Sequence, residues 1–237
     1  SEDPEGLTAA KKAAMKTKIT NFETVLYGAD KKRDWSSTKA NTYAPGDPND
    51  WTTYLDMNSA VDYYLAREFT KDNDADFYRS NFFYTNNVDP ASTDKLFMGP
   101  IWDFDRSAGA ATGASTSIAS PTGWWIRGNG SANHDTNKIH WYTKIVKDPR
   151  FLNALHDRWA AKKSAFDNVS LTGVNAAVTA MGGTTYDSGL VVAANDRKLW
   201  SSGGSRYAAH SSSYTGELSY LRGWYHDRYV WMNNELI

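Results

Sequence analysis

The amino-acid sequence predicts an α+β fold that is mostly helical and contains one small β-hairpin. Apolar residues recur at helical spacing through most of the chain, which is the first observation behind this prediction. The second is a pair of short runs, 81–85 and 95–98, which are typical of strands and are joined by turn residues. The third is the stretch 107–137, rich in Gly, Ala, Ser and Thr, which separates these elements from a helical carboxyl-terminal half. We therefore expect a helix, a second helix, a hairpin, a long loop and a helical bundle.

The helical segments can be placed from their apolar spacing and their end signals. The first covers residues 6–28, and Gly28 is expected to end it. The second begins near Asp56 or Asn58, both good N-caps, and ends near Thr70. Further helices are predicted near residues 138–147, 149–166, 172–182, 185–200 and 213–235.

We expect one domain over residues 1–237, because a chain of this length can bury a core of its own. Within it, residues 5–105 would carry the first helices, the hairpin and the acidic residues discussed below. Residues 106–137 would form the long loop, and residues 138–237 the helical bundle.

Composition excludes several classes of function. The net charge is −1, from 26 basic and 27 acidic residues, so nothing indicates binding to nucleic acid. The chain has no cysteine, which rules out disulfides, thiolate metal sites and a cysteine nucleophile. No run approaches the ~20 apolar residues of a membrane-spanning helix, so we expect no membrane partner.

Two acidic clusters are the candidate functional residues. The first is Asp-Asn-Asp-Ala-Asp at 72–76, followed by Asn81, and the second is Asp103 with Asp105. Because the hairpin between them should return the chain to nearly the same place, carboxylates of both clusters are expected to converge. On an extended segment Asp103 and Asp105 would point the same way, with Phe104 directed into the core. Such oxygen ligands suit hard cations, Mg²⁺ or Ca²⁺.

Each cluster also has a simpler interpretation. The acids at 72–76 could be the solvated end of the second helix. We expect Asp103 and Asp105 to be partly buried by their apolar neighbours, and a structural ion pair with Arg106 or Arg127 would then satisfy them.

Other enzyme classes lack their motifs. The cluster at 72–76 has neither the Gly nor the Glu that an EF-hand loop requires. The five histidines form no metal-binding pattern, and neither a Gly-x-Ser-x-Gly elbow nor a Walker loop is present. No carboxylate pair is singled out by its spacing as a glycosidase pair.

Several segments together resemble the CotH kinase family of bacterial spore-coat and secreted proteins. Met-Gly-Pro-Ile-Trp-Asp-Phe-Asp at 98–105 is similar to the family's signature. Residues 65–74 resemble the stretch that ends in the family's Asn-x-Asp, with Asp72 where Asn is usual. The resemblance covers roughly residues 5–235, and further similar segments are 57–65, 123–125 and 148–151.

The resemblance implies a highly diverged protein-kinase-like fold, of which this chain resembles the carboxyl-terminal lobe. It also implies binding of ATP with Mg²⁺ (or Ca²⁺ or Mn²⁺) and transfer of the γ-phosphate to a protein hydroxyl. Asp74 then corresponds to the catalytic residue. Asp76 is the alternative candidate for the catalytic residue, because Asp76 and Asn81 reproduce the Asp-x-x-x-x-Asn spacing of kinase catalytic loops.

The remaining expected site residues lie around the second cluster. By the resemblance, Asp103 and Asp105 are the metal-binding pair, and Asn81 is the second metal ligand. Trp102 and Arg106, which flank these carboxylates, complete with Asn81 the expected cofactor-binding set.

A kinase also needs an amino-terminal lobe with a Gly-rich loop and a strand lysine paired to a helix glutamate. The first helix carries lysines at 11, 12, 16 and 18, none of which follows a strand, and Glu23 is a weak candidate for the lysine's partner. We therefore expect that lobe to lie outside this chain, which alone could bind metal without kinase activity.

The competing hypothesis is an extracellular carbohydrate- or cell-wall-binding module with a structural cation site. Aromatic residues make up 14% of the chain, and an exposed flat platform at Trp124 and Trp125 would favour this function. Convergence of Asp74, Asp103 and Asp105 would favour the kinase. We expect a secreted bacterial protein in either case, with a nucleotide and a protein substrate, or a polysaccharide, as partners.

Overall fold

The computed structural model describes residues 7–28, 43–44, 46–72, 80–110, 119–127, 141–180 and 214–237. In these residues the chain is mostly helical with a two-stranded antiparallel sheet, which agrees with the predicted α+β class. The helix predicted at 185–200 lies outside the described residues. The elements are α1 (Ala9–Tyr27), a 3₁₀ turn (Trp51–Thr53), α2 (Met57–Thr70), β1 (Phe83–Tyr84), β2 (Phe97–Met98), α3 (Trp141–Ile145), α4 (Pro149–Asn168), a π-helical turn (Val169–Gly173), α5 (Val174–Ala180) and α6 (Tyr214–Leu236).

Helix α2 lies at the centre of the described structure. It begins where its sequence predicts, because the Asp56 carboxylate accepts the N–H of Ser59 at 2.7 Å and caps the helix. It ends at Lys71, which has the left-handed φ of 50°. Its buried residues occupy all sides of the helix except the one that carries Asp62, and they include two charged side chains; they are Ala60, Val61, Tyr63, Tyr64, Leu65, Arg67, Glu68 and Phe69.

Helix α1 joins the core only through its second half. Ala10, near the start of the helix, is exposed, and the buried residues Phe22, Val25 and Leu26 lie in the last two turns. There the Phe22 ring meets Trp141 edge-on at 4.7 Å. Glu23 accepts a hydrogen bond from Trp141 Nε1 at 2.9 Å, so this carboxylate helps to attach α1 to α3.

The hairpin is present but shorter than predicted. Phe83 pairs with Met98 in antiparallel register, and each strand has two residues. Leu96, just before β2, donates to the carbonyl of Tyr54 at 2.7 Å and accepts from the N–H of Asp56 at 2.8 Å. These bonds attach the returning strand to the start of α2, and thereby direct residues 99–105 along that helix.

A buried ionic cluster fastens the 3₁₀ turn to α4. Arg150 donates to the carboxylates of Asp50 and Asp148 at 2.8 and 2.7 Å, and Trp51 Nε1 donates to Asp148 at 2.8 Å. Burial alone would raise the pKa of Asp50, but hydrogen bonds from Arg150 and Thr52 hold that pKa below its ordinary value. The cluster is structural, since all of its charges are satisfied within the fold.

Candidate functional site

Arg67 connects the end of α2 to the start of the hairpin. Its fully buried guanidinium donates to the Asp72 carboxylate through Nη1 and to the Ser80 carbonyl through Nη2. Asp72 and Ser80 are the two residues that flank the segment 73–79. Both flanks of this acidic segment are therefore attached to one side chain. Asp74 and Asp76, the two candidate catalytic residues, lie outside the described residues.

The second acidic cluster lies against the same side chain. The Ser80 hydroxyl donates to Asp103 Oδ2 at 2.7 Å, and the Phe104 ring lies 4.6 Å from the Arg67 guanidinium carbon. The hairpin thus returns the chain as predicted, and it brings Asp103 beside a flank of the first cluster. Asp72 itself faces Arg67 in the interior and is fully buried.

The predicted geometry of Asp103 and Asp105 is wrong in two respects. Both side chains are exposed, whereas partial burial was expected. Asp103 has a φ of 66°, and a turn follows at 105–106, so the segment is not extended and simple alternation of its side chains does not apply. Phe104 is half-buried and packs on Arg67 instead of entering an apolar core.

Four non-glycine residues with left-handed backbone lie around this site. They are Lys71, Ser80, Asp103 and Ala108, with φ values between 50° and 66°. Ser80 and Asp103 share a hydrogen bond, and Ala108 donates its N–H to the carbonyl of Thr70, next to Lys71, at 2.8 Å. Such conformations are unfavourable for most residues, and they cluster where function requires a particular backbone path.

The predicted cofactor-binding residues have different environments. The half-buried Asn81 accepts a hydrogen bond from the Tyr63 hydroxyl at 3.0 Å. Trp102 is 63% exposed, and Arg106 is half-buried in the turn after Asp105. No group of three or more acidic or histidine side chains in the described parts of the chain is placed to hold a metal ion.

The donor atoms nevertheless have the chemistry that a hard cation requires. Asp103 and Asp105 offer exposed carboxylate oxygens, and Asn81 offers an amide oxygen. Mg²⁺ typically takes one or two protein carboxylates and completes its shell with water and phosphate oxygens, so an open oxygen-rich site fits it.

Lys71 anchors a second segment, residues 119–127, beside the site. Its buried ammonium donates to the carbonyls of Ser120 and Thr122 at 2.8 and 2.6 Å. Burial and, to a smaller extent, the nearby Arg228 guanidinium lower the pKa of Lys71 to about 8, against the opposing effect of Glu68. The 119–127 segment is thus fixed to the last turn of α2.

A buried ion pair holds the same segment from the other side. Glu68 on α2 and Arg228 on α6 are both fully buried and lie 2.9 Å apart. The Glu68 carboxylate accepts the N–H groups of Trp125 and Ile126 at 2.5 and 2.8 Å, while Arg228 donates to two carbonyl oxygens of the 119–127 segment. These charges were not predicted as site residues. No local pattern in the sequence signals them, because their partners lie in distant segments.

Trp124 and Trp125 do not form the exposed flat platform that a polysaccharide-binding surface would need. Trp125 is 3% exposed and donates its indole N–H to the Asp72 carbonyl at 2.8 Å. Trp124 is half-buried, and its ring contacts that of Trp231 edge-on, with 4.8 Å between the ring centres. The Arg127 guanidinium packs over the same indole, 3.6 Å from the ring centre. Both indoles serve the packing of the 119–127 segment.

Comparison with known proteins agrees with the resemblance seen in the sequence. Along the described stretches of the chain, none of the helices has the length and hydrophobicity needed to cross a membrane. No curated protein and no solved structure matches the chain. The family described as CotH kinase protein matches residues 11–232, which is nearly the whole sequence. The chain therefore belongs to the CotH kinase family.

Proposed function

We propose that this chain is the metal-binding part of an atypical protein kinase, which binds ATP with Mg²⁺ (or Mn²⁺ or Ca²⁺) and transfers the γ-phosphate to a protein hydroxyl. Membership of the CotH kinase family supports a kinase-like activity. The observation that carries the proposal is the hydrogen bond between Ser80 and Asp103, because it joins the flank of the first acidic segment to the second.

In this proposal the two carboxylates of the exposed turn hold the cation. Asp103 and Asp105 supply charged oxygens, and Asn81 supplies a neutral oxygen from the start of the hairpin. A bound Mg²⁺ would neutralise charge on the ATP phosphates, which is the main requirement of phosphoryl transfer. Asp74 and Asp76 are the candidates for positioning the attacking hydroxyl.

Two neighbours are suited to the rest of the nucleotide. The Trp102 indole is 63% exposed next to Asp103 and offers a face for stacking on a base. The Arg106 guanidinium, in the adjoining turn, is suited to a phosphate oxygen. We further propose secretion, and an accompanying amino-terminal lobe that supplies the Gly-rich loop and the paired lysine.

Transfer of labelled γ-phosphate from ATP to a generic protein acceptor tests the proposal. We expect Mg²⁺-dependent labelling by the protein that includes the proposed amino-terminal lobe, and a loss of about 10²-fold or more in Asp103→Asn, because a ligand of the charge-neutralising cation is removed. Asp157→Asn, at an exposed carboxylate on α4, is the matched control and should label normally. An Asp103→Asn variant as active as the control would contradict the proposal, as would a wild-type protein that includes the lobe and transfers nothing.

A further inference from the structure

We infer that Arg67 is a positioning residue that fixes the two acidic segments relative to each other. It contacts both flanks of residues 73–79 and the ring that follows Asp103. The inference rests on the proposed function only in the part that concerns metal affinity. The mechanical coupling of the segments by Arg67 can be measured without any ligand.

The contacts of Arg67 require an arginine. One Nη donates to the Asp72 carboxylate, the other Nη donates to the Ser80 carbonyl, and the guanidinium carbon lies 4.6 Å from the Phe104 ring centre and 5.2 Å from that of Tyr63. A planar fork can serve two acceptors at once and still present its faces to aromatic rings. A lysine ammonium at the same place could neutralise Asp72, but it lacks the planar fork that bonds two acceptors in fixed directions while its faces contact the rings.

Burial makes this arrangement stiff. Arg67 and Asp72 are both 0% exposed, so neither charge can turn to water if the other moves. Separating a buried pair leaves an uncompensated charge, which costs several kcal/mol. Arg67 also belongs to the buried part of α2, between the buried residues Leu65 and Glu68, so the backbone that carries its side chain is held by packing.

Two routes lead from Arg67 to the proposed cation ligands. In the first, Arg67 holds the Ser80 carbonyl, and the Ser80 hydroxyl holds Asp103 Oδ2 at 2.7 Å. In the second, Arg67 packs on Phe104, the residue next to Asp103. Loosening the guanidinium should therefore release Asp103 and the 80–82 backbone together.

The test compares Arg67→Lys with Arg158→Lys, both arginines that pair with an aspartate. Arg158 forms an ion pair with Asp62 at 3.3 Å on the surface and is 30% exposed. The Arg158→Lys variant therefore shows the effect of replacing a guanidinium by an ammonium away from the two acidic segments. Amide hydrogen exchange is measured on the whole chain at residues 80–82 and 103–106. Binding of Mn²⁺, a spectroscopic substitute for Mg²⁺, is titrated on the same samples.

We expect Arg67→Lys to raise exchange about 10-fold or more at both sites while protection elsewhere in α2 is kept. We also expect it to weaken Mn²⁺ binding by about 10- to 100-fold, as loss of a residue behind a ligand usually does. Arg158→Lys should change neither. Unchanged exchange at both sites in folded Arg67→Lys would overturn the inference.

Two further outcomes are also decisive. If the wild-type chain binds no Mn²⁺, the proposed metal site fails, while the exchange data alone still decide the coupling. If Arg67→Lys does not fold, Phe104→Leu replaces it, because it removes only the ring that faces the guanidinium. Faster exchange at 80–82 in Phe104→Leu would then support coupling through Arg67, and unchanged exchange there would refute it.

Discussion

A buried ammonium group at the end of α2 gives the chain a pH-dependent stability. Burial and the nearby Arg228 lower the pKa of Lys71 to about 8 in the folded chain, against the ordinary pKa of about 10.4 expected in the unfolded chain. Between these values the unfolded state binds more protons than the folded state. The contribution of Lys71 to the free energy of unfolding therefore increases as the pH rises above about 8.

Replacing this lysine by methionine should remove that contribution. We expect the free energy of unfolding to rise with pH more steeply in the wild type than in Lys71→Met, by up to about 1 kcal/mol per pH unit between about pH 8 and 9.5. Urea unfolding at a series of pH values measures both slopes. Lys147→Met, at an exposed lysine, should follow the wild type. Parallel curves for the wild type and Lys71→Met would show that the Lys71 ammonium is not desolvated.

At the scale of elements, the turn that follows the second acidic cluster is held against α6. Ser107, Ala108 and Gly109 are all buried there, and Gly109 has a φ of 82°. A Cβ at Gly109 would overlap the Tyr220 hydroxyl and would lie 3.0 Å from Trp224 Nε1. The absence of a side chain at Gly109 therefore permits the close approach of the turn to the helix.

The Gly109→Ala substitution should lower the free energy of unfolding by more than the strain of an alanine at a left-handed φ accounts for. Gly123 is the matched control, because its φ is 80° and a Cβ there would meet nothing within 4 Å. Both alanine variants should lose about 1 kcal/mol from left-handed strain, and Gly109→Ala should lose about 1–3 kcal/mol more from overpacking. Chemical denaturation measures the difference. Equal losses would mean that the turn does not pack on α6 as described.

Elements with strong local signals were predicted well from the sequence. Asp56 caps α2 and Thr70 ends it, as expected, and α4 begins at Pro149 behind the capping Asp148. The sequence predicted no helix at 167–171, whereas α4 continues through the π-helical turn Val169–Gly173 into α5. The hairpin strands are shorter than the apolar runs that indicated them; just before β2, Leu96 bonds to Tyr54 and Asp56 instead of to β1.

The candidate site was predicted in part. The return of the hairpin follows from local pattern and is confirmed by the pairing of β1 with β2, whereas the convergence of Asp103 with Asp74 or Asp76 stays a prediction. The buried charges Arg67, Glu68 and Arg228 were missed, because charged residues are expected at the surface unless their partners are known. Those partners are mostly backbone groups of distant segments, which no local pattern reveals.

At the scale of the molecule, one helix connects most of the features described above. Arg67, Glu68 and Lys71 lie at the carboxyl end of α2. Arg67 attaches the flanks of 73–79 to this helix, and Glu68 and Lys71 attach the 119–127 segment to it. The exposed carboxylates of the second acidic cluster lie beside this anchored framework. A rigid base with open oxygen ligands at its edge is the arrangement that we expect for a cation–phosphate site.

The central claim is that Asp103 belongs to a Mg²⁺–nucleotide site, and calorimetry with Mg²⁺–ATP tests it most directly. The account predicts saturable heat of binding for the wild-type chain, and at least about 10-fold weaker binding for Asp103→Ala. Asp157→Ala, at an exposed carboxylate on α4, should bind as the wild type does. Equal heats from the wild type and Asp103→Ala, or no heat from either, would contradict the claim.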